Sequence, residues 1–553
     1  MLDANSRDCY HIDLSLASIT YLKMPFKIFI SDDVSDNGLE PLRASAFALE
    51  KRTGLNPDEL AQALGDYDGL IVRSETKVTS DLLDAAKNLR VIGRAGVGVD
   101  NIDVPAATAR GIVVMNAPDG NTITTAEHTI ALLVALARRV PQANISLKSG
   151  KWDRKKFVGT ELQGKTLGVI GFGRIGRVVA KRANALGMKV VAFDPFVVPD
   201  SARDAEIELQ PIDDVLARAD FLTVHTPLTA ETRGIIGADA FAKMKNGVRI
   251  INCARGGLID EGALYQAIKS GKVAGAALDV FESEPPPTDH QLLQLDEVIV
   301  TPHLGASTTE AQEGVALTVA EQMRDFLLTG ALRGAVNLPP IDQKVLATLE
   351  PYLSLAESLG RFHAQLTNGA IREVRLEFAG ELVDIDAAPV TRAFLAGLLR
   401  DVSARVNAVN AFLIAEERGI AVTTSYTRGS NAASAIRTSV VSSAGEQTAS
   451  GSVFTTAEGY REGRITRING FRIEAVPRGF MLVMHNRDVP GVIGRVGSIL
   501  GDAGINISAF HLGRRERGGE AMAVIEIDAP LDERTISDLR GCDGIITAQQ
   551  IEL

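Results

Sequence analysis

The stretch "GVIGFGRIG", residues 168–176, sets Gly171, Gly173 and Gly176 in G-x-G-x-x-G register. In that register the first glycine permits a tight turn and the second lets a pyrophosphate approach the backbone. The third lets a helix pack closely on a strand. Three glycines alone are a weak pattern, but here the context agrees. An apolar run precedes them, the helical "RVVAKRANALG" follows, and "VVAFDP" then places Asp194 at the end of a second strand. Free N–H groups at the helix start suit phosphate oxygens. An acidic side chain at position 194 suits ribose hydroxyls and repels a 2′-phosphate. Pro195 and Phe196 follow with no arginine, so NAD is favoured over NADP.

Outward from this motif the chain repeats the same alternation. "ADFLTVHTPL", "GVRIINCARGG", "VAGAALDVF" and "EVIVTPHLG" continue it downstream. "KIFISD", "GLIVRS", "VIGRAG" and "GIVVMNAP" form an earlier series upstream. Short apolar runs ending in small or polar residues read as buried parallel strands. A long helix is expected from "TTAEHTIALLVALARRV", with Thr124 or Thr125 as cap and Glu127 in its first turn. Another is expected over roughly 306–329, and "LRGAVNLPP" (332–340) reads as a linker. Residues 341–477 mix helices with strands, including the Ser/Thr/Ala-rich "SNAASAIRTSVVSSAGEQTASGS", whose alternation fits exposed antiparallel strands. From Gly479 the order strand, helix, strand, strand, helix, strand is ferredoxin-like.

The bulk composition agrees with several globular domains. The 553 residues are 45% hydrophobic and 23% charged, with a net charge of -11. That acidity argues against a nucleic-acid partner. The three cysteines, Cys9, Cys253 and Cys542, lie far apart and show no metal spacing, which suggests a reducing compartment and a cytoplasmic address. No apolar run approaches membrane-spanning length; "IALLVALA" (130–137) is among the longest. Residues 1–23 lack the pattern of a signal or transit peptide and read as a disordered extension ahead of Met24.

Three polar residues end successive strands of the second series: Arg255, Glu284 and His303. Such ends face the ligand crevice in open parallel sheets. Each has a plainer reading, as an ion-pair partner, a solvated loop carboxylate and a satisfied histidine. Together they make chemical sense. A neutral imidazole can take a hydroxyl proton, and a carboxylate behind it fixes its tautomer. An arginine holds a substrate carboxylate through two parallel bonds. Arg73 and Ser74 in "IVRSE", with Arg94, Gly96 and Val97 in "GRAGVG", fit an anionic substrate across the cleft. "KWDRKKF" adds Arg154, Lys155 and Lys156, which read more simply as a solvated turn.

In this order "GVIGFGRIG", "CARGGLIDEGAL", "AALDVFESEPP" and "VTPHLGAST" resemble the D-isomer-specific 2-hydroxyacid dehydrogenases. The resemblance implies an Arg255–Glu284–His303 triad, with Glu282 as the fallback for Glu284. It implies cofactor contacts at Arg174, Ile175, Thr226, Cys253, Ala254, Arg255, Asp279, His303, Gly305 and Ala306. Arg255 is then expected to meet a substrate carboxylate, not a permanent protein partner. The implied architecture is α/β, with two Rossmann-like doubly wound domains: a substrate domain (24–122, completed by 307–331) and an NAD domain (123–306). Longer family members add an α+β intervening domain, here 341–477, and a C-terminal ferredoxin-like ACT domain, here 479–553.

The ACT pattern in "HNRDVPGVIGRVGSILGDAGINISAFHLG" implies an L-serine effector site at Asn486, Asp488 and Asn506, although the first position departs from the expected histidine or tyrosine. The module could equally serve oligomerisation, and the resemblance implies a homotetramer. The expected activity is NAD-dependent oxidation of a phosphorylated 2-hydroxy acid in amino-acid biosynthesis, with 2-oxoglutarate reduction as a side activity. Glyoxylate or hydroxypyruvate reduction is an alternative. A non-enzymatic NAD-sensing corepressor-like module is another.

Overall fold

A computed structural model describes residues 25–197, 207–339, 343–403, 405–428, 434–457 and 459–553; the proposed extension 1–23 lies outside them. Four sheets order the chain. The first has five parallel strands in the order Ala48–Lys51, Lys27–Ile30, Gly69–Val72, Val91–Arg94 and Val113–Asn116. The inner runs are largely apolar because helices cover both faces, and Gly69–Val72 is buried at every residue, whereas the edge strand Ala48–Lys51 (ALEK) is mostly exposed. The helix Thr309–Thr329 returns from far along the chain to cover one face with Val315, Val319 and Met323.

The second sheet has seven parallel strands. Their order is Val298–Val300, Val273–Leu278, Val248–Asn252, Phe221–Val224, Thr166–Ile170, Lys189–Phe193 and Glu208–Leu209. Chain direction across the sheet reverses between Thr166–Ile170 and Phe221–Val224. Such a switch point opens a crevice at the strand C-termini, and the glycine loop sits there.

The helix Thr122–Arg138 differs from its expected start. Its cap is Asn121, and Thr124 and Thr125 lie inside the first turns. Thr125 is instead spent on tertiary structure, donating its hydroxyl to the Gly305 carbonyl at 3.0 Å. Arg139 then turns left-handed at φ 52, and a second helix, Val140–Lys148, follows. The expected linker is also more ordered than its composition implies. Val336 donates to the Val114 carbonyl at 2.7 Å, and Asn337 accepts from the Val114 N–H at 3.0 Å. The segment thereby extends the edge of the first sheet.

The third sheet runs Ala421–Thr427, Ile371–Ala379, Ala435–Ser442, Gly445–Thr455, Arg461–Ile468 and Phe471–Ala475. Its first pair is parallel and the rest antiparallel. The Ser/Thr/Ala-rich stretch supplies two of these strands, antiparallel as its alternation predicts, but one face is buried through Ile436, Thr438 and Val440 and not exposed as expected. Helices Gln343–Leu366 and Ala388–Leu398 share its core through Phe362 and Phe394. The fourth sheet is antiparallel in the order Ile507–Arg514, Glu520–Ile527, Phe480–Arg487 and Ile545–Glu552, the ferredoxin-like arrangement. Helices Val492–Asp502 and Glu533–Gly541 complete it. Among the described residues no helix is long and apolar enough to cross a membrane.

Candidate active site

The glycine loop is built by close approach. Gly171 adopts φ 93 and donates to the Phe193 carbonyl at 2.8 Å, in a left-handed region that penalises other residues. A Cβ on Gly176 would collide with the Gly171 carbonyl oxygen, so the helix Arg174–Ala185 can pack there only as glycine. A Cβ on Gly173 would meet no protein atom within 4 Å. Asp194 accepts from the Phe172 N–H at 2.8 Å and the Phe196 N–H at 2.9 Å, one on each oxygen. A carboxylate has about four acceptor sites, so each oxygen keeps capacity for a hydroxyl.

The loop opens into a cavity of about 450 Å³ between the first two sheets. Arg174, Ile175, Thr226, Cys253 and Ala254 line its nucleotide side, with Gly305 and Ala306 above them. Val97, Arg255 and His303 line it as well. Sequence reading missed Asn121, Thr122 and His225, which also face it. His225 Nδ1 and Thr226 Oγ1 are buried there with no hydrogen-bond partner among the described residues. Burial alone pushes the His225 imidazole down to about 4, so it is a neutral side chain in the fold. Burial likewise pushes the Cys253 thiol up to about 12.

His303 Nδ1 lies 2.7 Å from Glu284 Oε2, and Glu284 Oε1 accepts from the Phe281 N–H at 3.1 Å. The fallback, Glu282, is exposed and makes no side-chain bond to His303. Burial pushes the Glu284 carboxyl up. The His303 hydrogen bond and charge, with the Phe281 N–H, more than offset this and hold it below the usual range. The carboxylate thereby remains an acceptor and fixes Nδ1 as the donor, which leaves Nε2 with its lone pair.

Asp279 does not face the cavity as a direct contact would. Its carboxylate is fully buried, and it holds the loop that carries His303. Oδ1 accepts from the Thr301 hydroxyl at 2.5 Å and the Leu304 N–H at 2.7 Å. Oδ2 accepts from the Gly305 N–H at 2.8 Å. Burial raises this carboxyl, but His128, Thr301 and Leu304 outweigh burial and hold it low.

The substrate side presents guanidinium groups. Arg255 differs from expectation, because its Nε donates to Asp100 Oδ2 at 3.0 Å across the cleft. Arg94 is mostly buried, and its Nε has no hydrogen-bond partner among the described residues. Burial, followed by the neighbouring charges of Arg255 and Arg73, pushes Arg94 down to about 10. Arg73 donates its N–H to Asp32 Oδ2 at 2.5 Å and its Nη1 to the Asp33 carbonyl at 3.0 Å. Ser74 is exposed beside it, and the Gly96–Val97 turn is braced by Asn116, whose Nδ2 donates to the Val97 carbonyl at 2.5 Å.

Two expected groups stand apart. Arg154, Lys155 and Lys156 form an exposed turn, Arg154–Phe157, outside the cavity lining. Asp488 accepts from Arg514 at 2.9 Å and Asn506 donates to Asp528 at 2.7 Å. Asn486 is buried and donates to the Arg487 carbonyl at 2.9 Å. No hydrogen bond among the described residues joins these three to one another.

Comparison with known proteins agrees with this construction. Residues 130–305 match the D-isomer specific 2-hydroxyacid dehydrogenase NAD-binding domain. Residues 348–469 match the D-3-phosphoglycerate dehydrogenase intervening domain, and 480–544 match the ACT domain. A D-3-phosphoglycerate dehydrogenase of Archaeoglobus fulgidus is 45% identical over 95% of this chain and 100% of its own. One from Bacillus subtilis is 43% identical over 96% of this chain and 100% of its own. A D-lactate dehydrogenase of Aquifex aeolicus, solved with NAD and lactic acid, superposes with TM-score 0.50 at 29% identity. That likeness covers 57% of this chain and 99% of the Aquifex chain.

Proposed function

This chain belongs to the D-3-phosphoglycerate dehydrogenases of the D-isomer-specific 2-hydroxyacid dehydrogenase family, and from that membership we propose that it oxidises D-3-phosphoglycerate to 3-phosphohydroxypyruvate with NAD. The observation that carries the reading is that Arg73 and Arg255 both lie near enough to Arg94 to act on its charge, while Arg255 and His303 line the same cavity. A substrate with a carboxylate at one end and a phosphate at the other satisfies both halves of such a site.

The nucleotide crevice fits NAD. The open space before Gly173 lies at the start of a 12-residue helix, where N–H groups suit a pyrophosphate. Asp194 retains acceptor capacity for ribose hydroxyls, and His225 Nδ1 and Thr226 Oγ1 are buried polar atoms in need of a partner. Bound there, NAD supplies the hydride acceptor.

His303 Nε2 accepts the proton of the substrate hydroxyl, and Glu284 holds the ring in the required tautomer and balances its developing charge. Arg255 binds the carboxylate and polarises the neighbouring oxygen. Arg73 and Arg94, with the Val97 amide, take the phosphate, while the Gly96 N–H shapes the turn by donating to the Arg94 carbonyl at 2.7 Å. Asp279 acts through the His303–Gly305 loop that it ties down.

The four sheets support the division into a substrate domain (24–122 with 307–331), an NAD domain (123–306), an intervening domain (341–477) and an ACT domain (479–553). The activity opens serine biosynthesis in the cytoplasm, in a homotetramer whose ACT domains take L-serine near Asn486, Asp488 and Asn506. Hydroxypyruvate, glyoxylate and 2-oxoglutarate share the 2-oxo acid group that the triad handles. NADH oxidation should therefore be measured with 3-phosphohydroxypyruvate against those three, each with and without L-serine. A preference for the phosphorylated substrate is expected. Equal rates on the unphosphorylated acids would refute the phosphoglycerate assignment, and insensitivity to L-serine would refute the effector assignment.

A further inference from the structure

Arg255 and Asp100 come from opposite sides of the cavity. Arg255 follows the strand Val248–Asn252 of the nucleotide sheet, and Asp100 follows Val91–Arg94 of the first sheet. The guanidinium is already partly committed, since Nη1 donates to its neighbour's carbonyl, Ala254 O, at 2.7 Å. Its side-on fork, Nε with Nη2, is one of the two edges it can offer a carboxylate in parallel bonds. Asp100 Oδ2 holds the Nε of that fork. Gly98 backs the arrangement, because a Cβ there would collide with Arg255 Nη2 and lie 2.9 Å from Asp100 Oδ2.

We propose that Asp100 is a built-in competitor for Arg255, one that occupies the place a substrate carboxylate takes and must leave it for substrate to bind. The inference rests on the reading of Arg255 as the carboxylate clamp. Exposure makes the exchange easy in one direction only. The Asp100 side chain is 66% exposed and can swing into water, whereas that of Arg255 is 28% exposed, bonded to the Ala254 carbonyl and closely approached by Gly98. Asp32, another carboxylate near Arg94, is not free to move in this way. It is buried and accepts from the N–H groups of Arg73 and Thr76. A substrate carboxylate replaces the single bond to Asp100 with two parallel ones, so binding proceeds against a standing competitor.

An exposed ion pair of this kind should weaken carboxylate binding by about two- to five-fold. The test uses the full chain with Asp100→Asn and, for rescue, Asp100→Glu. Oxalate, a 2-oxo acid mimic that cannot be reduced, is titrated by calorimetry with NADH bound. Asp100→Asn should lower its Kd two- to five-fold, and Asp100→Glu should restore the wild-type value. KM for hydroxypyruvate should fall by the same factor as the oxalate Kd. Unchanged or weaker oxalate binding in Asp100→Asn overturns the proposal and would make Asp100 a fixed brace for Arg255. Failure to reduce 3-phosphohydroxypyruvate would count against the proposed substrate, while the oxalate titration still decides the role of Asp100.

Discussion

His303 and Glu284 are joined by a 2.7 Å bond from Nδ1 to Oε2, and the His303 backbone adopts φ 54, a left-handed conformation rare for a residue with a side chain. Such a conformation persists where surrounding bonds determine it, and here Asp279 supplies them on both sides of the loop. The geometry delivers Nε2 to the cleft as an acceptor. His303→Ala should lower kcat by about 10²–10⁴, the range for loss of a general base. Glu284→Gln should lower it by at least about tenfold and alter the pH–rate profile. NADH binding, followed by fluorescence, should survive both changes; loss of binding in parallel with rate would point to a collapsed loop.

Arg73 and Arg94 should govern preference among substrates more than turnover itself. Arg73→Ala removes a charge-assisted contact worth about 1.5–3 kcal/mol, or roughly ten- to a hundred-fold in kcat/KM for the phosphorylated substrate. Hydroxypyruvate should lose far less. An equal loss on both substrates would place the phosphate elsewhere.

Acid should weaken the fold through two buried histidines. His225 and His363 are both pushed down to about 4 by burial, against an ordinary value of 6.5. Between those values the unfolded chain binds protons that the folded protein refuses. Stability therefore falls as pH drops from 6.5 toward 4, by up to about 2 kcal/mol per histidine at pH 5. Calorimetric unfolding at pH 7.5 and pH 5 checks this, and His363→Gln should flatten the slope for the transition of the intervening domain. A pH-independent Tm across that window would show that neither ring stays neutral.

Cys253 lines the cofactor crevice yet should be chemically inert. Its thiol is buried and pushed up to about 12, so almost none is thiolate at neutral pH. Treatment with iodoacetamide at pH 8, read by peptide mass spectrometry, should modify the more exposed Cys542 first. Modification of Cys253 should appear only on unfolding. Early labelling of Cys253 with loss of activity would contradict this.

Much of the site was legible because its parts are local. The glycine register, Asp194 at the next strand end, and Arg255, Glu284 and His303 after successive strands are short patterns tied to strand–loop–helix geometry. The helix start was misplaced at Thr124 or Thr125 because a threonine looks like a cap wherever a helix pattern begins. Here Thr125 bonds to Gly305, 180 residues away, and Asn121 takes the cap position. The composition of 332–340 reads as a linker, but an open sheet edge at Val113–Asn116 was available to pair with it.

Residue order by itself determined the succession of parallel strands, the glycine loop and the placing of Arg255, Glu284 and His303 beyond strand ends, because each depends on backbone geometry within a few residues. Only the tertiary structure decided that Arg255 meets Asp100 across 155 residues and that Asp279 ties a loop instead of facing the cavity. It also decided that Arg94 is half-buried beside Arg255 and Arg73, with Asp100 and Asp32 as partial counter-charges. Those outcomes turn on which strand ends face each other and how much water remains between them, and desolvation and charge pairing are properties of that assembled space.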